Sequence, residues 1–173
     1  SKANPPIILD MATTVAAYGK VKTLLLSGGK MPEGWMIDKQ GNALTDPAKS
    51  KDGFLLPIGG PKGYGLALIF GILAGTLNKA AFGKDVVDFN NDNKTVTNTG
   101  HFIVALDIAA FMDPSEFKSQ IDTVWKDIKS SKKLPGISEI RLPGENLARK
   151  IRERKASGIK ISTPLFTRLT QLA

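Results

Sequence analysis

Hydrophobic residues are unevenly distributed along the chain, and the longest apolar stretch runs from Phe54 to Leu77. Its first part, Phe54 to Ile58, has the composition of a short strand, and Gly59-Gly60 interrupts it. From Pro61 onward, the pattern predicts a helix that is apolar on every side for about three turns. A helix of this kind is normally buried, so we expect the rest of the chain to pack around it.

One stripe of this predicted helix carries almost no side chains. Gly63, Ala67, Gly71 and Gly75 recur at every fourth position. Glycine inside a helix costs about 0.5–1 kcal/mol relative to alanine. Glycine is used in spite of this cost where another group must approach the helix closely, and the sequence therefore predicts that another backbone packs closely against the stripe.

Further strands and helices follow from local composition and capping signals. β-Branched and aromatic residues predict strands at Ile7–Met11, Gly34–Asp38, Gly100–Ile108 and Ile137–Leu142. Helix starts and stops predict helices at Val15–Leu26, from Pro114 to about Lys129, from Pro143 to Ser157, and from Thr163 to Leu172. Either Thr13 or Thr14 could cap the first of these helices, and Asp113 should cap the second. Residues 30–53 and Asp88–Asn98 are predicted to be mostly loop.

Three places in the chain are suited to an anionic, extended ligand. The glycine-rich start of the central helix carries Lys62, and a helix start offers free N–H donors and a partial positive charge. A second glycine-containing helix start lies at 143–146, and a predicted strand ends at Asp10. Each site has a plainer alternative: Lys62 could lie at the rim of a core helix, and Asp10 could cap the helix that follows.

Composition narrows the possible chemistry. The 173 residues include no cysteine and one histidine, His101, which argues against a disulfide framework, a cysteine nucleophile and a zinc site. His101 could be a catalyst or a residue at a strand edge. The formal charge of +8 raises nucleic acid as a partner, but the basic run Arg149–Lys155 fits the solvated face of one helix. No signal peptide or membrane-spanning stretch is evident, and we expect a cytoplasmic protein without a metal.

Four blocks of the sequence resemble the malate/L-lactate dehydrogenase family, the non-Rossmann type of 2-hydroxy-acid dehydrogenase. The blocks occur in the family's order and spacing, and the resemblance covers essentially the whole chain. They are Ile8–Thr14 (ILDMATT), Leu56–Gly65 (LPIGGPKGYG), Gly100–Phe102 (GHF) and Arg141–Glu145 (RLPGE).

The resemblance implies an NAD- or NADP-dependent oxidoreductase that acts on a small 2-oxo or 2-hydroxy acid. It implies a mixed α/β (α+β) fold, with a mixed, largely antiparallel sheet flanked by helices, and a homodimer. Asp10 is the candidate catalytic residue. The implied cofactor contacts are Leu9, Asp10, Met11, Ala12, Thr13, Thr14, Val15, Pro61, Lys62, Gly144, Glu145 and Asn146.

The resemblance also predicts how the chain is divided. Residues 1–110 would form the major part of the cofactor domain, and residues 111–173 a helical segment packed back on the rest. The family's main proton donor is a histidine in an N-terminal helical segment that has no counterpart here. We therefore expect the C-terminal half of a longer protein, inactive without its N-terminal half. A basic nucleic-acid-binding module and a non-catalytic scaffold remain the alternatives, and the sequence does not identify the substrate.

Overall fold

The chain folds into two compact units. A computed structural model describes residues 1–92 and 94–172. Unit 1 comprises Ser1–Asp10 and Ala105–Ala173, and unit 2 comprises Met11–Val104. The division into segments 1–110 and 111–173 as cofactor domain and helical segment stays a prediction.

Five α-helices make up most of the regular structure in the described part of the chain. All five were predicted from the sequence, with boundaries that differ by a few residues. They are α1 (Tyr18–Ser27), α2 (Pro61–Ala74), α3 (Pro114–Ser130), α4 (Glu145–Ser157) and α5 (Thr163–Thr170). Short 3-10 helices lie at Pro47–Asp52, Thr76–Asn78, Gly83–Asp85 and Ile108–Ala110. Within residues 1–92 and 94–172, no helix is long and apolar enough to cross a membrane.

Local capping chemistry explains where several helices begin and end. The Asp113 carboxylate accepts hydrogen bonds from the N–H groups of Ser115 and Glu116, as predicted for the cap of α3. The predicted threonine cap of α1 is wrong, because α1 begins after Ala17, which makes no side-chain cap bond. The Thr14 hydroxyl instead donates to the Ala16 carbonyl over 2.9 Å.

Unit 2 contains one small antiparallel sheet. Strands β1 (Met36–Asp38) and β2 (Gly53–Leu55) pair with Ile37 opposite Phe54. The predicted turn after β1 is confirmed, because the Asp38 carboxylate accepts hydrogen bonds from the N–H groups of Gln40 and Asn42. The predicted loop at 88–98 is confirmed for its described residues, while Asn93 lies outside them.

Three predicted strands are wrong. Residues 7–11, 100–108 and 137–142 form no strand in the structure. Within residues 1–92 and 94–172, the predicted mixed, largely antiparallel sheet is reduced to strands β1 and β2 and isolated bridges. The composition of the three segments favours extended backbone, but a strand also needs a neighbouring strand that pairs with its N–H and C=O groups. Ile103, for example, is 90% exposed.

The buried core lies elsewhere than the sequence predicts. Val21, Met31, Met36 and Leu44 form a cluster in unit 2, joined by partly buried side chains such as Trp35. The expectation that α2 is buried on every side is wrong for this chain. Most of its large apolar side chains are exposed, including Tyr64, Ile69 and Phe70, because few of the described residues pack against this helix.

The glycine stripe of α2 does permit close contacts, although not with one continuous backbone. A Cβ atom on Gly63 would fall on the Ile58 carbonyl, and one on Gly75 would lie 2.6 Å from the Ala81 carbonyl oxygen. At Gly71 the neighbour is the ring of Phe82, at 2.6 Å. The predicted backbone approach is therefore confirmed at Gly63 and Gly75, and it is wrong at Gly71.

In unit 1 a buried carboxylate holds the first residues of the chain. Asp122 on α3 is 8% exposed and accepts hydrogen bonds from the backbone N–H groups of Lys2, Ala3 and Asn4 and from the Asn4 side-chain amide, over 2.7–3.2 Å. Burial alone would raise the pKa of Asp122. The four hydrogen bonds outweigh burial and hold its pKa well below the ordinary range.

Replacing Asp122 with asparagine should loosen residues 2–4 at neutral pH. The depressed folded-state pKa means that the ionised form stabilises the fold above about pH 4, and that this contribution disappears as the pH falls through the folded-state pKa. Hydrogen-exchange protection of the Ala3 and Asn4 amides should therefore drop in Asp122→Asn, and the difference from wild type should narrow in acid. Asp127→Asn on the same helix is the control; equal protection in all three proteins would contradict the role of Asp122.

Candidate functional site

The start of α2 is built to leave backbone donors available. Gly60 occupies the N-cap position with a φ of 61°, in the left-handed region, and it forms no side-chain cap bond. Pro61 comes first in the helix, and no acidic residue lies in the first turn. Lys62 is exposed and Gly63 is buried. The helix start therefore presents N–H groups and a lysine with no nearby carboxylate from its own first turn.

The later part of the predicted cofactor segment lies against the backbone that leads into α2. The Ile58 N–H donates to the Thr13 carbonyl over 3.0 Å, and the Val15 N–H donates to the Leu56 carbonyl over 2.9 Å. Thr14 and Pro57 form an isolated antiparallel bridge between these bonds. Within unit 2, the structure thus brings residues 13–15 beside the segment that ends at Gly59-Gly60.

The residues just before the predicted cofactor segment lie against the predicted site at 143–146, within unit 1. The Ile8 N–H donates to the Pro143 carbonyl over 3.1 Å. Gly144 has a φ of +88°, and a Cβ atom there would lie 2.9 Å from the Ile8 Cβ and 3.1 Å from its nitrogen. Glycine is required at this position by both its conformation and the close approach of residue 8.

Glu145, another predicted cofactor contact, is held by Lys129 of α3. The Lys129 ammonium donates to Glu145 Oε1 over 2.6 Å and to the Ile140 carbonyl over 2.8 Å, and it lies 5.1 Å from the centre of the Trp125 ring. The other Glu145 oxygen accepts from the Leu142 N–H over 3.0 Å. The hydrogen bond from Lys129 lowers the pKa of Glu145, and the same bond raises the pKa of Lys129. Both groups are therefore charged at neutral pH.

Asn146 lies among arginines. Its side-chain oxygen accepts hydrogen bonds from Arg149 over 2.9 Å and from Arg141 over 3.3 Å. A small concavity of about 80 Å³ beside Asn146 is also lined by Arg152. The sequence predicts Asn146 as a cofactor contact, but it does not predict that these arginines converge on it.

The remaining predicted contacts, Leu9 to Ala12, are exposed. Asp10 does not cap α1, since that helix begins at Tyr18 with Ala17 as its cap residue. The capping alternative for Asp10 is therefore wrong. His101 is exposed and does not lie at the edge of a strand, so the strand-edge interpretation is wrong. Its backbone carbonyl accepts a hydrogen bond from the Asn78 side chain over 3.0 Å.

Sequence reasoning missed Lys129, Asp122 and the arginines around Asn146. Lys129 is separated from Glu145 by 16 positions, and Asp122 is separated from the residues that it binds by 118 to 120. Contacts of this range cross irregular segments and have no local signature. The Arg149–Asn146 contact, three residues apart, could have been predicted from helical spacing.

Comparison with known proteins identifies the family. The family model described as malate/L-lactate dehydrogenase matches residues 1–170. The chain belongs to the malate/L-lactate dehydrogenase family. The malate/(S)-sulfolactate dehydrogenase of Methanothermus fervidus is 36% identical over 167 residues, which are 96% of this chain and 48% of that protein. The ureidoglycolate dehydrogenase (NAD(+)) of Escherichia coli O157:H7 is 31% identical over 160 residues, 92% of this chain and 45% of that protein.

Solved structures of the family share the fold. The sulfolactate dehydrogenase of Methanocaldococcus jannaschii matches with a TM-score of 0.80 and 38% identity, over 95% of this chain and 47% of that chain. The chain therefore has a malate/L-lactate dehydrogenase-like fold, mostly helical, with a small two-stranded antiparallel sheet in its described residues. It spans about half the length of the curated relatives that it matches.

Proposed function

We propose that this chain is part of an NAD(P)-dependent oxidoreductase that interconverts a small 2-hydroxy acid and the corresponding 2-oxo acid. The observation that carries this proposal is the family match over residues 1–170. The activity requires a nicotinamide dinucleotide, which takes or gives the hydride at the 2-carbon of the acid. The chain would contribute the groups that hold and orient the dinucleotide.

The donors at the start of α2 fit a dinucleotide phosphate. The N-cap carries no side-chain partner, and the first turn carries no acid. Gly63 leaves no room for a side chain between the helix and Ile58, so the turn before the helix lies tight against it. Backbone N–H groups and the Lys62 ammonium can then act on the same anion.

The other proposed contacts come from two further segments. Residues Leu9 to Val15 would line the dinucleotide with backbone and side-chain groups, and Gly144, Glu145 and Asn146 would do so from the start of α4. Because both Glu145 oxygens are engaged by Lys129 and the Leu142 N–H, we expect Glu145 to contact the dinucleotide through its backbone.

The names of the relatives support the substrate class. They are described as dehydrogenases of malate, sulfolactate and ureidoglycolate, each of which carries a hydroxyl group next to a carboxylate. The name of the ureidoglycolate enzyme specifies NAD(+), which supports a nicotinamide cofactor without deciding between NAD and NADP for this chain.

The complete enzyme is proposed to contain a further, N-terminal half in addition to this chain, and to form a homodimer. The relatives are about twice as long as this chain. The exposed apolar side chains of α2, among them Ile69 and Phe70, are the kind of surface that another protein segment covers.

The experiment that tests the proposal compares the complete enzyme with the 173-residue chain. Each is mixed with NAD⁺ or NADP⁺ and a panel of 2-hydroxy acids that includes malate, sulfolactate and ureidoglycolate, and reduced nicotinamide is followed by absorbance. The complete enzyme should turn over at least one acid, whereas the chain alone should turn over none. Turnover by the purified chain would reject the need for the other half, and inactivity of the complete enzyme with every acid would reject the proposed function.

Replacing Asp10 with asparagine should lower kcat of the complete enzyme about tenfold or more. Asp10 is proposed to act as a charged partner of the substrate or of the group that donates the proton. Since it caps no helix, the free energy of unfolding should change little. Asp52→Asn removes an exposed carboxylate in a loose ion pair with Lys39 and is the control; an unchanged kcat in Asp10→Asn would exclude the catalytic role.

A further inference from the structure

The arginines around Asn146 form a compact positive cluster whose charge is only weakly balanced by acidic side chains. Nitrogen atoms of Arg141 and Arg149 both lie within 3.3 Å of the Asn146 side-chain oxygen, so two like charges converge on one neutral acceptor. Among the salt bridges of residues 1–92 and 94–172, these arginines and Arg152 take part in one, a loose contact of 3.7 Å from Arg149 to Glu153.

The acidic side chains that line the same concavity, Glu139 and Glu145, contact Lys129. Glu145 accepts from Lys129 over 2.6 Å, and Glu139 lies 3.4 Å from the same ammonium. Lys129 therefore engages both carboxylates. Arg141 and Arg149 are left with the neutral amide of Asn146 and, for Arg149, the loose 3.7 Å contact to Glu153. The concavity therefore has one side where Glu139 and Glu145 are paired with Lys129, and another where Arg141 and Arg149 retain N–H donors for a further partner.

Size and chemistry both indicate a phosphate-sized anion. Guanidinium groups present planar pairs of N–H donors that match phosphate oxygens, and they are weakly hydrated. The concavity of about 80 Å³ has room for one such group and not for a whole nucleotide. The Asn146 amide nitrogen offers a further donor.

We propose that Arg141, Arg149 and Arg152, with Asn146, form a subsite for one phosphate group of the dinucleotide. This inference rests on the proposed function. The phosphate is either the 2′-phosphate that distinguishes NADP from NAD or part of the pyrophosphate that both share. In the first case the cluster sets the cofactor preference, and in the second it anchors both cofactors.

The test uses the complete enzyme and its variants Arg149→Gln, Arg152→Gln and the double variant. Glutamine has nearly the same helix propensity as arginine, so α4 should be retained. Arg154→Gln is the matched control, because it removes the same charge from the same helix at a position that does not line the concavity. Dissociation constants for NADPH and NADH are measured by fluorescence at fixed ionic strength, which keeps long-range electrostatic effects comparable.

The double variant should bind NADPH about tenfold to a hundredfold more weakly, as expected when charge-assisted hydrogen bonds are lost. An unchanged NADH affinity would assign the subsite to the 2′-phosphate, and an equal loss for NADH would assign it to the pyrophosphate; either result supports the proposal. Dissociation constants within twofold of those of the control for both cofactors would overturn it. A change confined to the KM of the 2-hydroxy acid would also overturn it, because the cluster would then bind the substrate carboxylate.

Failure of the proposed function looks different in the same experiment. In that case the wild-type enzyme binds neither NADH nor NADPH, whatever the state of the arginines. Binding by wild type with no effect of the variants rejects the phosphate subsite alone.

Discussion

Replacing Lys62 with alanine is expected to weaken NAD(P)H binding to the complete enzyme by about one to two orders of magnitude. A charge-assisted hydrogen bond contributes roughly 1.5–3 kcal/mol, and 1.4 kcal/mol corresponds to a factor of ten. Lys62 lies in the first turn of α2 beside an N-cap without a side-chain partner, so the lysine and the helix dipole would act on the same phosphate.

The controls separate this role from a general effect of charge. Lys20→Ala removes an exposed lysine from α1 in the same unit and should leave the dissociation constant nearly unchanged. Lys62→Arg should restore binding only in part, because the planar guanidinium needs more space than the ammonium. Without cofactor, the thermal stability of Lys62→Ala should equal that of wild type, whereas the stabilisation by saturating cofactor should shrink. Identical dissociation constants in Lys62→Ala and wild type would exclude a contact between Lys62 and the cofactor and would leave Lys62 as a surface charge at the rim of the helix.

Replacing Gly63 with alanine is expected to destabilise the fold strongly. The added Cβ would fall on the Ile58 carbonyl group, which is backbone and cannot rotate away as a side chain could. Overpacking typically costs 1–3 kcal/mol and occasionally more, and we expect about 3 kcal/mol or more because α2 or the turn at Gly59-Gly60 must shift. The same shift should weaken cofactor binding, since it moves the donors at the helix start.

A neighbouring glycine provides the control. Gly65 lies two residues later in α2 and has no atom within 4 Å of a Cβ atom built there. Gly65→Ala should therefore be neutral or stabilising by up to about 1 kcal/mol through helix propensity. Chemical denaturation of the complete enzyme would compare the two variants. A denaturation midpoint for Gly63→Ala equal to or above that of wild type would exclude the close approach to Ile58.

The helices could be predicted because their signals are local. Asp113 with Pro114 at the start of α3, and Gly28 and Gly158 after α1 and α4, act within a few residues of the backbone groups that they satisfy. The failed cap of α1 shows the limit: Thr13 and Thr14 precede an apolar periodic segment, but their backbones pair with residues 57–58 instead, and the helix starts later.

The strands and the surroundings of the site could not be predicted in the same way. Residues 100–108 have the composition of a strand, but strand formation depends on a partner that composition does not reveal. The candidate site illustrates the same division. Lys62 and Gly144 were recognised from their places at helix starts, whereas Lys129 reaches Glu145 only because the irregular segment after α3 folds back on it.

The most direct test of the proposed function traces the hydrogen itself. The complete enzyme is supplied with NAD⁺ or NADP⁺ and the 2-hydroxy acid that it oxidises, labelled with deuterium at the 2-carbon, and the reduced cofactor is analysed by mass spectrometry and NMR. Direct hydride transfer predicts one deuterium at carbon 4 of the nicotinamide ring for each 2-oxo acid formed. Oxidised acid without reduced nicotinamide, or a reduced cofactor whose new hydrogen comes from water, would contradict the proposal.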